Sequence, residues 1–171
     1  MKSIIFIMML LSQAFASLEN INTFEADFTQ TITDEKNTVL AYSGHMFASK
    51  PQSVRWTYLK PVKKEIYINS FEVTVVEPEI EQVIFRKVES DFNFFRMISN
   101  SKEIKKNTYE TSYKNSKFKI VKNANFIESI SYIDEFENRV KIMFKNQKQN
   151  QKISETTFAP SYPLTYDMIR D

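Results

Sequence analysis

Apolar and polar positions alternate along most of this chain. In "FEADFTQTI", Phe24 to Ile32, the residues Phe24, Ala26, Phe28 and Ile32 fall on one side, and Glu25, Asp27, Thr29 and Thr31 on the other. Period two is the signature of a strand with one buried face. Gln30 interrupts the apolar side where a hydrocarbon core would take another hydrocarbon, so the question is whether that face meets a core or a cargo. A turn at "TDEKN" leads to a second strand, "TVLAYSGHMFAS", in which the lone Gly44 marks a bulge or a close backbone approach. "VRWTYL" sets Val54, Trp56 and Tyr58 against Arg55, Thr57 and Leu59. "EIYINSFEVTVVEP" reads as two strands about Asn69-Ser70, and "EQVIFRKV" as another.

The period then changes. In "SDFNFFRMISNS", Phe92, Phe95 and Ile98 recur at helical spacing with Phe94 and Met97 beside them, Ser90 is placed to cap and Asp91 suits the first turn. Strands resume with "NTYETSYK", "KFKIVK", "IESISYID", "NRVKIMFK" and "KISETTF", and the chain closes through "APSYPLTYDMIRD". A short lead, "SLENIN", has room for a turn or two of helix. Consecutive hairpins with one apolar helix among them predict a mainly β fold with short helices. A meander of this length is expected to curl into a barrel or half barrel.

The first residues change the picture. "MKSIIFIMMLLSQAFA" has a basic start at Lys2, an apolar run from Ile4 to Leu11 and small residues at Ala14 and Ala16. That is the pattern of a secretory signal peptide, and the run is shorter than the roughly 20 residues a membrane span needs. Residues 1–16 are therefore expected to be a signal, and 17–171 one domain of the mature, exported chain. The chain has no cysteine, which removes disulfides, thiol catalysis, thiolate metal sites and an acylated-cysteine anchor. With 23 basic and 21 acidic residues, loss of Lys2 leaves 22 against 21, or +1, so no strong field results. The segment Lys102 to Lys152 carries about twice as many basic as acidic residues, most simply as solvated strand faces. Aromatic residues are abundant, 15 Phe, 8 Tyr and 1 Trp against a single Gly, which favours sheet and supplies bulky apolar lining.

Reaction chemistry is scarce. His45 is the only histidine, so a multi-histidine metal site is excluded, and it reads as a surface or hydrogen-bonded strand residue. Glu25 and Asp27 lie on one strand face and are the only candidates for a carboxylate pair in an envelope hydrolase, yet that face is the polar one. One glycine cannot build a phosphate-cradling loop, and lysines interleaved with aromatics, as in "NTYETSYKNSKFKIVK", are better read as strand alternation than as a nucleic-acid surface. No catalytic residue, metal or cofactor is expected. An incompletely closed barrel, by contrast, leaves a cavity that something apolar must occupy.

Taken in order, "FEADFTQTITD", Gly44, "KP" at Lys50-Pro51, "RWTYLKP", the Phe-rich helix after "EQVIF", and "FAPSYP" resemble the LolA family of periplasmic lipoprotein carriers. The resemblance implies an unclosed antiparallel half barrel covered by a helical lid, with lipoprotein acyl chains sheltered between them. It implies that Phe24, Phe28, Val54, Trp56 and Tyr58 line the cavity and that Phe92, Phe95 and Ile98 face it from the lid. Where that family often has an Arg whose hydrogen bonds to lid backbone hold it shut, this chain has Lys50, which brings donors but no planar fork. The usual Asp-Gly turn between the fourth and fifth strands is Asn69-Ser70 here. The implied function is carriage of lipoproteins through the periplasm by a monomer. Cargo would come from an inner-membrane lipoprotein-releasing ABC transporter, which spends the ATP, and pass to an outer-membrane receptor lipoprotein where one exists. A carrier or sensor of another amphiphilic lipid on the same scaffold is the alternative.

Overall fold

A computed structural model of the chain describes residues 18–88 and 93–170. The expected signal, residues 1–16, lies outside the described residues, as do Ser90, Asp91 and Phe92. A 3₁₀ turn at Leu18–Asn20 precedes six strands, β1 (Thr23–Thr33), β2 (Val39–Ser49), β3 (Ser53–Lys60), β4 (Lys64–Ile68), β5 (Glu72–Glu77) and β6 (Gln82–Lys87). A short helix, α1 (Phe94–Ser99), leads into β7 (Lys102–Lys105), β8 (Thr108–Tyr113), β9 (Ser116–Asn123), β10 (Phe126–Ile133) and β11 (Arg139–Gln149). A further 3₁₀ turn at Glu155–Phe158 comes before β12 (Asp167–Arg170).

All twelve strands belong to one sheet, in the order β12-β6-β5-β4-β3-β2-β1-β11-β10-β9-β8-β7, so the sheet has two edges and does not close. It is two meanders, β1 to β6 and β7 to β11, stitched together by the antiparallel pairing of β1 with β11. Phe28 sits at the seam, opposite Gly44 on β2 and Phe144 on β11.

Alternation places the strands as expected. Along β1, Phe24, Ala26 and Phe28 are buried and the residues between them are not. The same inward face continues through Met46 and Ala48 on β2, Val54 on β3, Phe118 and Ile120 on β9, Ile130 on β10 and Val140, Ile142 and Phe144 on β11. Phe24 meets Phe144 edge to face with centroids 5.2 Å apart, and Phe28 meets Trp56 at 4.9 Å and Tyr58 at 5.1 Å. Such pairs add about 0.5–1.5 kcal/mol each beyond the area they bury.

Gly44 has both of the properties its position predicts. The β2–β3 register shifts between Ser43 and Gly44. A Cβ built there would stand 1.9 Å from the Thr57 carbonyl oxygen and 2.8 Å from the Phe28 ring. Turns elsewhere manage without glycine. In "TDEKN" and "DEFEN" alike an Asp side chain accepts backbone N–H groups, Asp34 from Thr38 and Asp134 from Phe136 and Asn138. Asn37 and Glu137 take the left-handed conformation at the ends of these turns. At Asn69-Ser70 the Asn69 side chain accepts from Phe71 and Glu72 N–H in the same way.

Three expectations are corrected. The helix is capped by Asn93, whose side chain accepts the Arg96 N–H at 3.0 Å, and not by Ser90; α1 is six residues long, Phe94–Ser99. "KISETTF" is not a strand. The strand it follows, β11, is already flanked by β1 and β10, so no free edge awaits it. The chain instead crosses the outer face, where Tyr162 and Tyr166 cover a second apolar cluster of Tyr67, Val76, Val83 and Phe85. It then adds β12 in parallel to the β6 edge, which makes the pattern of consecutive antiparallel hairpins incomplete.

Gly44→Ala is expected to cost at least about 2 kcal/mol, at the severe end of overpacking because a carbonyl oxygen is in the way. A urea-unfolding midpoint unchanged from wild type would show that the β2–β3 approach is not as tight as described.

Candidate functional site

A cavity of about 310 Å³ lies against the inward face of the sheet, lined by Gln30, Met46, Val54, Trp56, Tyr58, Ile66, Ile68, Tyr113, Phe118, Ile130, Tyr132 and Ile142 from the strands, and by Phe94 and Met97 from α1. Its walls therefore run from β4 to β8, seven places apart in the strand order, which requires the sheet to curl around the cavity. The lining is almost wholly hydrocarbon and aromatic.

Of the five residues expected on the strand side, Val54, Trp56 and Tyr58 line this cavity. Phe24 and Phe28 do not. Both are enclosed, Phe24 between Phe94 and Phe144 and Phe28 between Trp56 and Tyr58, so they support the wall from behind. The phase of the helix also differs from expectation. Phe94 and Met97, three residues apart, face the cavity. Phe95 and Ile98, the neighbouring pair at the same spacing, are buried but absent from its lining. Ile98 shares a separate cleft with Leu18, and Phe95 lies beneath the Lys50 ammonium at 5.9 Å. Both stripes carry i, i+3 spacing in the sequence, and Phe94 is the cavity-facing residue because Asn93 fixes where the helix begins.

Helix and turn are tied to the β2–β3 end of the sheet. Lys50 Nζ donates to the Glu19 carbonyl oxygen at 3.1 Å, within the Leu18–Asn20 turn. The Asn93 side-chain amide donates to the Pro51 carbonyl at 2.8 Å while its oxygen caps α1. The partner of Lys50 is thus backbone of the first short helical turn, and one point of attachment stands where a guanidinium would offer several.

Glu25 and Asp27 are on the opposite face. Asp27 Oδ1 is 2.7 Å from His45 Nδ1 and its Oδ2 accepts from Asn146 at 2.6 Å; Glu25 accepts from Lys148 Nζ at 2.9 Å. The Asn146 hydrogen bond, and after it the one from His45, hold the Asp27 carboxyl below its ordinary value. Each carboxylate has polar partners of its own, and the sheet separates both from the cavity. Among the described residues no cluster of three His, Asp or Glu could hold a metal ion. Inside the cavity, burial first and then the nearby Tyr132 and Tyr42 phenols push the Tyr58 hydroxyl up to about 12, so it is a neutral donor at physiological pH.

Among the described residues, one open, curled sheet surrounds an apolar cavity with one short helix against it, and relatives in structure and sequence identify this class as a LolA-type fold. The structure is similar to that of an uncharacterized conserved protein from Thermus thermophilus, at TM-score 0.56 with 12% identity, covering 90% of this chain and 93% of that one. It is also similar to that of a LolA superfamily protein from Nitrosomonas europaea, at TM-score 0.52 with 7% identity, covering 82% and 91%. At such identities the likeness concerns the fold alone. In sequence, residues 19–94 match the family described as "Outer membrane lipoprotein carrier protein LolA". An outer-membrane lipoprotein carrier protein of Campylobacter jejuni is 41% identical over 169 residues, 99% of either chain. One from Wolinella succinogenes is 30% identical over 158 residues, 92% of either. The chain belongs to this family of outer-membrane lipoprotein carrier proteins.

The outer-face network has a pH signature. Because the Asp27 pKa is lowered in the fold from 3.8, its contribution to stability is present above about pH 4 and is lost as pH falls through the folded value. Asp27→Asn is expected to be less stable than wild type at neutral pH, with the difference shrinking between pH 5 and pH 2. Thermal unfolding across that range measures it, and a difference independent of pH would count against the ionised hydrogen-bonded Asp27.

Proposed function

We propose that this chain is a periplasmic carrier that takes the acyl chains of outer-membrane lipoproteins into its apolar cavity and ferries them across the aqueous gap. It is a carrier and not an enzyme. The observation that supports this most directly is the cavity itself, apolar on nearly every side and framed by aromatic rings, in a chain of this family. In this reading the curled sheet is the half barrel and α1 is the lid. Val54, Trp56 and Tyr58 form the wall with Phe24 and Phe28 behind them, and Phe94 and Met97, backed by Phe95 and Ile98, form the lid face. Residues 1–16 are the export signal, and 17–171 work as a monomer. Cargo arrives from an inner-membrane lipoprotein-releasing ABC transporter and leaves to an outer-membrane receptor lipoprotein.

Energetics favour such a device. Each methylene kept from water is worth about 0.8 kcal/mol, so three long acyl chains exposed together would cost roughly 30 kcal/mol or more. A cavity of about 310 Å³ is near the small end of ligand pockets, which run from roughly 300 to 1,000 Å³. It holds part of one chain and must widen for the rest. Widening means moving α1, and Lys50 is the latch on that motion through the Glu19 carbonyl.

Trp56 is the only tryptophan, so its emission reports on the cavity alone. A synthetic lipopeptide with bromine on its acyl chains should quench Trp56 emission in a saturable manner, and the same peptide without acyl chains should not. Failure of the brominated chains to quench at any soluble concentration would end the carrier reading. Lys50→Met should leave the sheet folded yet increase binding of the dye 8-anilinonaphthalene sulfonate several-fold, because loosening the latch exposes apolar lining. Unchanged dye binding would remove Lys50 from that role.

A further inference from the structure

Gln30 is the residue that interrupts the apolar face of β1, and the cavity absorbs it without hiding it. Its side-chain oxygen accepts the Tyr58 hydroxyl at 3.0 Å, which fixes the amide and leaves its nitrogen with two protons to donate. Tyr132 on β10 lines the same cavity, its ring 4.7 Å from that of Phe118. Neither the Gln30 amide nitrogen nor the Tyr132 hydroxyl has a protein hydrogen-bond partner among the described residues. These donors stand at one end. On β1, Phe24 is in ring contact with Phe94 of α1. Gln30 lies six positions further along, roughly 20 Å at strand rise. The cavity is thus polarised, hydrocarbon beneath α1 and hydrogen-bond donors toward the rim formed by the β1–β2, β3–β4 and β10–β11 turns.

An acyl chain has the same polarity, since it begins at a carbonyl and ends at a methyl group. We propose that Gln30 and Tyr132, with Tyr58 holding Gln30 in place, donate hydrogen bonds to the acyl carbonyls of the cargo and so set its direction, methyl ends under Phe94 and Met97 and carbonyls toward the turn rim. This inference rests on the carrier reading and deepens it. The aromatic walls accept any hydrocarbon, whereas the polar end distinguishes a chain that is esterified or amide-linked from one that is not. Placed in an apolar cavity, an unpaired donor favours a ligand that brings an acceptor to it. Leaving the Gln30 and Tyr132 donors unmatched selects against plain alkyl chains by the same amount.

The test compares two synthetic lipopeptides of equal chain length, one carrying two ester-linked acyl chains and the other the corresponding dialkyl ether, with Trp56 emission as the readout. Wild-type mature chain is expected to bind the ester form roughly 5- to 30-fold tighter, the equivalent of one to two ordinary hydrogen bonds. The double variant Gln30→Leu with Tyr132→Phe is expected to bind both forms alike, within about twofold. A wild-type far-ultraviolet circular dichroism spectrum and cooperative thermal unfolding show that the variant is folded. Should the double variant not fold, Tyr132→Phe alone should narrow the preference by about 3- to 5-fold. Equal binding of ester and ether by wild type, or an undiminished preference in the folded variants, overturns the inference while leaving the carrier reading intact. Binding of neither form overturns both.

Discussion

Everything in this structure depends on one non-local pairing, that of β1 with β11. Without it the chain would be two separate meanders, each with an apolar face and a second raw edge. With it, strands from the two halves of the sequence curl toward one another, and residues as distant as Ile66 and Phe118 line one space. Phe28 sits on that seam, between Gly44 and Phe144. Its ring overlies Gly44, the single glycine of the chain, and carries Trp56 and Tyr58 on its inner side. The residue that stitches the halves together therefore also sets the cavity wall.

At the seam that wall is apolar on the inside and polar on the outside, and the same strands supply both. On β1, Phe24 and Phe28 point inward while Glu25 and Asp27 enter the network with His45, Asn146 and Lys148. The outer network spans β2, β1 and β11, so it reinforces the seam from the side opposite the rings. Carboxylates that could look like a catalytic pair in the sequence are consumed in holding three strands together, where partly exposed ion pairs contribute modestly but specifically.

The strands were legible in the sequence because a strict period of two arises where a pleated strand buries one face and wets the other, and Gly44 was legible because one glycine within a strand pattern needs a steric reason. The helix was legible in existence but not in phase. Phe92, Phe95 and Ile98 form one plausible stripe and Phe94 and Met97 another, and only the Asn93 cap, set by its bond to Arg96 N–H and its tie to Pro51, selects between them. The wall was half legible. Alternation identified Val54, Trp56 and Tyr58 as inward-facing, but an inward residue can line a cavity or sit behind it, and the depth of Phe24 and Phe28 depends on α1 and β11, which alternation along β1 does not encode. Nothing local announced β12, whose place beside β6 is determined by which edge remained open. Tyr132, at an inward position of β10, became meaningful only when the curl brought it toward Gln30.

A carrier must bind tightly enough to keep hydrocarbon from water and loosely enough to surrender it, and the lid role proposed for α1 would meet that requirement through the way the helix is held. The sheet resists deformation because twelve strands share one ladder, whereas α1 is six residues long, too short to be stable by itself. Its ties are the buried faces of four side chains, the Asn93 bridge to Pro51 and the neighbouring Lys50 contact with Glu19. Lifting the helix exposes Phe94 and Met97, a cost of a few kcal/mol at the usual value for a buried apolar side chain. On the proposed carrier reading, an entering acyl chain covers the same rings again and offsets most of that cost. Methionine and aromatic side chains, which repack around irregular shapes more readily than branched aliphatics, keep that balance tolerant of the cargo's exact chains. Rigidity in the sheet and compliance in the helix are thus parts of one arrangement, and exchanging them would give either a leaky barrel or a guest that could not leave.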